Sequence, residues 1–189
     1  MQRFFSAEKI GNTLPQAFKG VMTAPNTYFA DMPEARDYRD SLMLLAIYLA
    51  IPSLAVGIIS GVIGIILILP VSLALGLLGT WMWAAYLGWA ARRFCGAGLS
   101  TVDAFQICAY SSAPLVFSWI PVIGLLAWLS NLYLNWQGLV SHARIGAGAA
   151  LLIILGAYFI LLLSLITLAA LLMFAVPELS TDMQGITWF

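Results

Sequence analysis

Residues 41–91 form an uninterrupted stretch of 51 positions without Asp, Glu, Lys, Arg or His. A second stretch of this kind covers residues 145–177. A bilayer core about 30 Å thick requires about 20 apolar residues per helix, so the first stretch is too long for one span and suits two. A charge at the centre of a span costs about 2.5–3.5 kcal/mol on insertion scales, which explains why the charges are confined to a few segments. The sequence therefore predicts a polytopic helical membrane protein.

The composition limits the classes of partner. Hydrophobic residues make up 62% of the chain and charged residues only 8%, whereas soluble domains carry about 25% charged residues. Eight basic and eight acidic residues cancel, which leaves no net field for binding nucleic acid. The expected partners are membrane lipids and either another membrane protein or a second copy of this chain.

Polar and glycine-rich breaks divide the apolar sequence into five predicted spans. Ser100 and Asp103 form a capping-box pattern, which predicts a helix start near Thr101. Asp31 occupies a similar position before Pro33, which predicts another helix start near Met32. The five spans are predicted at about 41–61, 67–91, 101–118, 122–141 and 145–174.

The segments outside the spans are short. Residues 1–40 carry apolar side chains at helical spacing between charges, so they are predicted to form a cytosolic or interfacial amphipathic segment. Residues 177–189 are predicted to form a short tail on the other side of the membrane. The fold class expected for residues 41–176 is an all-α, five-helix transmembrane bundle.

The distribution of basic residues predicts the orientation. With five spans, all eight Lys and Arg residues fall in the N-terminal segment and in the loops around Arg92 and Arg144, which share one side. Basic residues in short loops prefer the cytoplasmic side. We therefore expect a cytoplasmic N-terminus and a C-terminus on the opposite side.

The fourth predicted span carries a polar stripe in which Asn131, Asn135, Gly138 and His142 recur at helical spacing. One interpretation is hydrogen bonding between helices, and the other is a hydrated or lipid-headgroup cavity. In the first span, Gly57 and Gly61 form a small-xxx-small pair that is typical of close helix packing.

Catalytic patterns are sparse. Ser111, Ser112 and His142 are the only conceivable nucleophile and base, and the sequence has no G-x-S-x-G, no H-E-x-x-H and no metal-ligand spacing of its cysteines. His142 and Arg144 suit anchors at the membrane interface. We expect neither enzymatic activity nor a cofactor nor a bound metal.

Four short motifs and one tryptophan give the chain a family resemblance. They are Asp103-Ala104-Phe105, Ala109-Tyr110-Ser111-Ser112-Ala113-Pro114, Ile120-Pro121-Val122-Ile123-Gly124, Trp128, and upstream Pro25-Asn26-Thr27-Tyr28-Phe29. These motifs resemble the Yip domain family, five-span membrane proteins that interact with Rab GTPases, together with their bacterial relatives. The resemblance implies a cytosolic N-terminus and a non-catalytic role in membrane organisation or trafficking.

The chain departs from the eukaryotic pattern of that family. It lacks the Asp-Leu-Tyr-Gly-Pro type motif, and Ala109-Tyr110 stands where those members have Gly-Tyr. These departures argue against binding of Rab-type GTPases, and the short N-terminal segment resembles bacterial inner-membrane members. Tyr110, beside Pro114 and Ser112, is the first candidate for a functional or fold-specifying contact.

Two functions follow as hypotheses. The first is a non-enzymatic scaffold or adaptor of the Yip type, which acts through contacts with membrane-protein partners or lipids. The alternative is a small permease or lipid-handling component whose polar route is lined by Asn131, Asn135, Tyr110 and Ser112.

Overall fold

The structure is a computed structural model that describes residues 4–175, except for the side chains of residues 63 and 172–175. The predicted tail at 177–189 lies outside the described residues. The described chain contains no strand and forms seven α-helices: α1 Ile10–Thr23, α2 Pro25–Ala30, α3 Arg39–Ile59, α4 Gly61–Cys95, α5 Thr101–Ser111, α6 Pro121–Ser141 and α7 Ala147–Ala175.

Contacts between Cα atoms divide the chain into two units, Met1–Ile153 and Ile154–Phe189. All the helices lie in the first unit except the distal part of α7, which belongs to the second. The first unit also contains two short 3-10 helices, Ala7–Lys9 and Ala113–Phe117. The packing described below concerns the first unit.

Three helices of the described chain are long and apolar enough to cross a membrane: Arg39–Ile59, Gly64–Cys95 and Ala147–Leu171. They correspond to the first, second and fifth predicted spans. The most apolar 18-residue stretch of α4 has no buried residue, and large side chains such as Ile66 and Met82 are more than half exposed. Such a surface is suited to hydrocarbon rather than water. The prediction of an all-α membrane fold is confirmed.

The third and fourth predicted spans differ from these three helices. The segment 101–118 is divided into α5 and the 3-10 helix Ala113–Phe117, because Pro114 has no N–H and the Ser112 hydroxyl donates to the Cys108 carbonyl. Helix α5 has 11 residues, about 16 Å at 1.5 Å per residue, and is shorter than a bilayer core. Helix α6 is long enough, but it carries several polar side chains. The five-span count stays a prediction.

Helices α3 and α4 form a tight hairpin. Ser60 is the one residue between them, and Gly61 has φ of +77°, a conformation that favours glycine. A Cβ on Gly57 would lie 3.3 Å from the Ile65 Cα, so the two helices approach closely beside the turn. Gly57 and Gly61, the predicted small-xxx-small pair, therefore both lie at this turn between α3 and α4.

The N-terminal segment is folded onto the helices of the first unit. Helix α1 is amphipathic as predicted, and it buries Ala17 and Val21. The ring of Phe18 makes edge contacts with Tyr48 of α3 and with Phe117, at centroid distances of 6.2 and 6.4 Å. Ala17, Val21 and Tyr48 therefore belong to the buried core of the first unit.

The prediction of a helix starting near Met32 is wrong. Asp31 is the C-cap of α2, and the next helix begins only at Arg39. Between them, the Ala35 N–H donates to the Asp103 carboxylate at 2.7 Å. In a helix that started near Met32, the Ala35 N–H would donate to a carbonyl of the same helix. In the structure this N–H donates to Asp103 of α5 instead.

Helices α5 and α6 pack against each other. Asn131 of α6 lies beside Ser111, and a Cβ on Gly138 would overlap the Ile107 side chain. Residues from Asp103 to Ser111 of α5 are all buried. The N-terminal end of α5 thus meets the C-terminal end of α6, which brings Asp103 and His142 to the same cavity.

Candidate functional site

A polar cleft of about 370 Å³ opens at the end of the first unit where α5 begins and α6 ends. Its walls come from the segment before α3, the segment after α4, the first turn of α5 and the segment after α6. The lining residues are Ala30, Met32, Glu34, Gly98, Leu99, Asp103, Ser141, His142, Ala143 and Arg144. We call this cavity the polar cleft.

One wall of the polar cleft is fixed around Asp103, which is 9% exposed. Its carboxylate accepts hydrogen bonds from the Ala35 N–H and the Ser100 hydroxyl, and its N–H donates to the Ser100 Oγ at 3.0 Å. The predicted start of α5 near Thr101 is therefore confirmed, with Ser100 as its N-cap. Arg92 Nη1 donates to the Leu99 carbonyl at 2.7 Å, which ties the end of α4 to the same wall.

The opposite wall is the turn that ends α6. The N–H groups of His142 and Ala143 both donate to the Gly138 carbonyl, at 2.9 and 3.4 Å. Arg144 then adopts φ of +53°, and it is the only residue other than glycine with a positive φ in the part of the chain that the structure describes. The left-handed conformation costs about 1–2 kcal/mol for a residue with a Cβ. The fold thus holds Arg144 at the cleft in an unfavourable conformation.

The polar cleft contains acidic and basic side chains that are not paired with each other. The side chains of Glu34, His142 and Arg144 form no hydrogen bond or ion pair with any other residue within 4–175. Asp103 adds a second carboxylate, while Met32 and Leu99, each 5% exposed, supply an apolar floor. Such a mixture suits a ligand that has a cationic group, an anionic group and an apolar part.

A cluster of tyrosines lies deeper in the same unit. The Tyr110 oxygen accepts a hydrogen bond from the Phe5 N–H at 3.0 Å, and its ring contacts that of Tyr28 at a centroid distance of 5.5 Å. Burial first, and then the neighbouring Tyr110, raise the pKa of the Tyr28 phenol. Tyr48, 2% exposed, lies beside them, and its hydroxyl has no hydrogen-bond partner among the described residues.

The predicted polar stripe of α6 is used mainly inside the protein. Asn131 Nδ2 donates to the Ser111 carbonyl at 3.0 Å, and Asn135 Nδ2 donates to the Asn131 carbonyl at 2.8 Å. Asn135 is 1% exposed, and its Oδ1 has no partner among the described residues. His142 is the member of the stripe that reaches the polar cleft.

The remaining candidates are separated from His142. Ser111 and Ser112 lie at the C-terminal end of α5, eight or nine positions from Asp103, or about 12 Å along the helix axis. Pro114 is buried beyond them. The structure therefore does not bring the conceivable serine nucleophiles together with the one histidine.

Comparison with protein-family models gave a match to the Yip1 domain over residues 19–176. The chain belongs to the Yip1 domain family. Neither the curated proteins nor the solved structures gave a significant match. As a Yip1 domain with long apolar helices, the protein is an integral membrane protein.

Two of the motifs that carry the family resemblance contact each other in this Yip1 domain. Tyr28, from the upstream motif, contacts Tyr110, from the motif at the end of α5, and α2 packs against α6. The sequence predicts an interfacial segment for the upstream motif and gives no sign of this contact.

Sequence reasoning also missed the polar cleft as a site. The sequence pattern indicates only a helix cap for Asp103 and no site role for Glu34. The signal that could have identified the cleft was the position of Glu34, Asp103, His142 and Arg144 in segments that share one predicted side of the membrane.

Proposed function

We propose that this Yip1 domain protein is a non-enzymatic membrane scaffold or adaptor, which acts through contacts with membrane-protein partners or lipids in membrane organisation or trafficking. We place it in a bacterial inner membrane with a cytoplasmic N-terminus. The distribution of all eight basic residues over the N-terminal segment and two loops supports that orientation.

One observation carries the proposal: three of the buried or half-buried polar side chains hydrogen-bond within this chain, whereas the outer surface of the long helices is apolar. Asn131 and Ser112 donate to carbonyl groups of this chain, and the Tyr110 oxygen accepts from its backbone. Along α4, by contrast, Leu67 and Leu75 are 59% and 63% exposed. A chain with this arrangement has contact surface for lipids or apolar helices rather than a reaction centre.

Photo-crosslinking in cells tests the proposal. A benzophenone amino acid placed at Leu67, Leu75 or Met82 should give a discrete protein adduct, to a partner or to a second copy, because these side chains project outward. The matched control is Leu87 of the same helix, which is fully buried and should crosslink only within the chain. Absence of adducts at all three outer positions, with isolation of this chain alone from mild detergent, would argue against a protein-binding scaffold.

The alternative of a permease or lipid-handling component with a route along α6 receives less support. Asn135 is 1% exposed, and the polar cleft is lined by neither Asn131 nor Asn135. A cysteine at position 135 is expected to resist polar thiol reagents from both sides in the folded protein. Rapid labelling of that cysteine would favour the alternative.

A further inference from the structure

We infer that the polar cleft binds the head group of a phospholipid that carries a primary ammonium and a phosphate, of the phosphatidylethanolamine class. The inference rests on the lipid-contact part of the proposed function and names the lipid. It is carried by the position of the cleft, by its size and by the charges on its walls.

The position places the cleft at the level of lipid head groups. Its lining residues Glu34, Gly98 and Arg144 lie three to five positions from the start of α3, the end of α4 and the start of α7. These three helices are long and apolar enough to cross a bilayer. Their neighbouring ends therefore surround the cleft at the boundary of the hydrocarbon, where a lipid presents its phosphate and amine.

The charges favour a zwitterion. The Arg144 guanidinium can donate two parallel hydrogen bonds to a phosphate, with His142 and the Ser141 hydroxyl as further donors. Glu34 and Asp103 can accept hydrogen bonds from an ammonium group. An anion alone would face two carboxylates, and a cation alone would face the guanidinium, so a ligand with both charges is the best match.

The size and the apolar floor agree with a head group. A volume of about 370 Å³ lies within the range of about 300–1,000 Å³ that small-molecule sites occupy. Met32 and Leu99 offer apolar contact for the glycerol and the first acyl carbons. The left-handed conformation of Arg144 holds the guanidinium-bearing residue at the cleft, and unfavourable backbone conformations of this kind concentrate at ligand sites.

Native mass spectrometry of the purified full chain provides the test. The chain in mild detergent is mixed with equimolar phosphatidylethanolamine, phosphatidylcholine and phosphatidylglycerol of identical acyl chains. We expect phosphatidylethanolamine to be retained at least about fivefold over the other two, because only it combines an ammonium that can donate hydrogen bonds with a phosphate.

Glu34→Gln is the decisive variant, since Glu34 lies outside the helices and is exposed, so its replacement leaves folding intact. It should abolish the preference for phosphatidylethanolamine over phosphatidylglycerol. Arg144→Asn removes the guanidinium and introduces asparagine, which tolerates the left-handed conformation. This variant should retain all three lipids about fivefold less, or weaker still, because all three carry a phosphate. The matched controls are Glu8→Gln and Arg93→Gln, which remove exposed charges outside the cleft and should behave as wild type.

Three results would overturn the inference. Equal or stronger retention of phosphatidylglycerol by wild type would show an anion site, and wild-type retention in both cleft variants would place the lipid elsewhere. Displacement of the lipid by an equal concentration of soluble glycerophosphoethanolamine would show that the ligand is a free phosphate ester. The lipid assay uses the isolated chain, so its outcome is independent of the crosslinking test. If the chain selects phosphatidylethanolamine but gives no crosslinked partner in cells, the proposal of a protein-binding scaffold fails and the proposal of a lipid site in the polar cleft is retained.

Discussion

Replacing Tyr110 with Phe removes the phenol oxygen that accepts a hydrogen bond from the start of the N-terminal segment, and it also removes the hydrogen bond between Tyr110 and Tyr28. The Phe5 N–H, on a residue 4% exposed, donates to this oxygen at 3.0 Å. A buried donor left without a partner costs about 1–3 kcal/mol. Taking about 2 kcal/mol for the Phe5 amide, and a factor of ten per 1.4 kcal/mol, we expect detachment of the segment to become about 30-fold more populated.

Hydrogen exchange followed by mass spectrometry in detergent measures this effect. A peptide that covers residues 4–9 should exchange about 30-fold faster in Tyr110→Phe, while peptides from α3 and α4 keep their protection, because a local opening exposes only the detached segment. Tyr133→Phe is the matched control, since Tyr133 is 49% exposed and its hydroxyl has no hydrogen bond with another described residue. Unchanged exchange of residues 4–9 in a folded Tyr110→Phe protein would refute the reasoning.

Three further substitutions test other parts of the fold by unfolding in detergent. Arg144→Gly should raise the free energy of unfolding by about 0.5–1 kcal/mol, because glycine adopts positive φ without strain. The same substitution should reduce lipid retention. A lower free energy of unfolding would contradict the strain assigned to Arg144. Gly138→Ala should lower the free energy of unfolding by about 1–3 kcal/mol, since its Cβ would overlap Ile107, and a neutral result would show that the α5–α6 interface can relax. Asn135→Leu should change the free energy of unfolding by less than about 1 kcal/mol, because it removes an Oδ1 without a partner in the described chain together with the hydrogen bonds of Nδ2 to Asn131 of the same helix. A large loss would reveal an additional contact of Asn135.

The parts of the fold that follow from local chemistry could be predicted from sequence. The absence of charge over 41–91 and 145–177 predicts α3, α4 and α7, since exclusion of charge from hydrocarbon is a property of the residues themselves. The start of α5 was also predictable, because Ser100 and Asp103 satisfy each other within one turn.

The parts that depend on distant contacts could not be predicted. The Asp31 pattern resembles an N-cap, yet a bond between Ala35 and Asp103, 68 positions apart, keeps that segment out of a helix. The polar cleft depends in the same way on four segments that meet only after the helices pack. Hydrophobic periodicity and capping patterns depend on residues that are close in sequence, so they do not predict contacts between distant segments.

The one-residue link at Ser60 constrains how the protein is made. Because a single residue joins α3 to α4, no polar loop separates the two helices. We expect them to enter the bilayer together as a hairpin, so that α3 reaches its final depth only after the 35 residues of α4 have been synthesised.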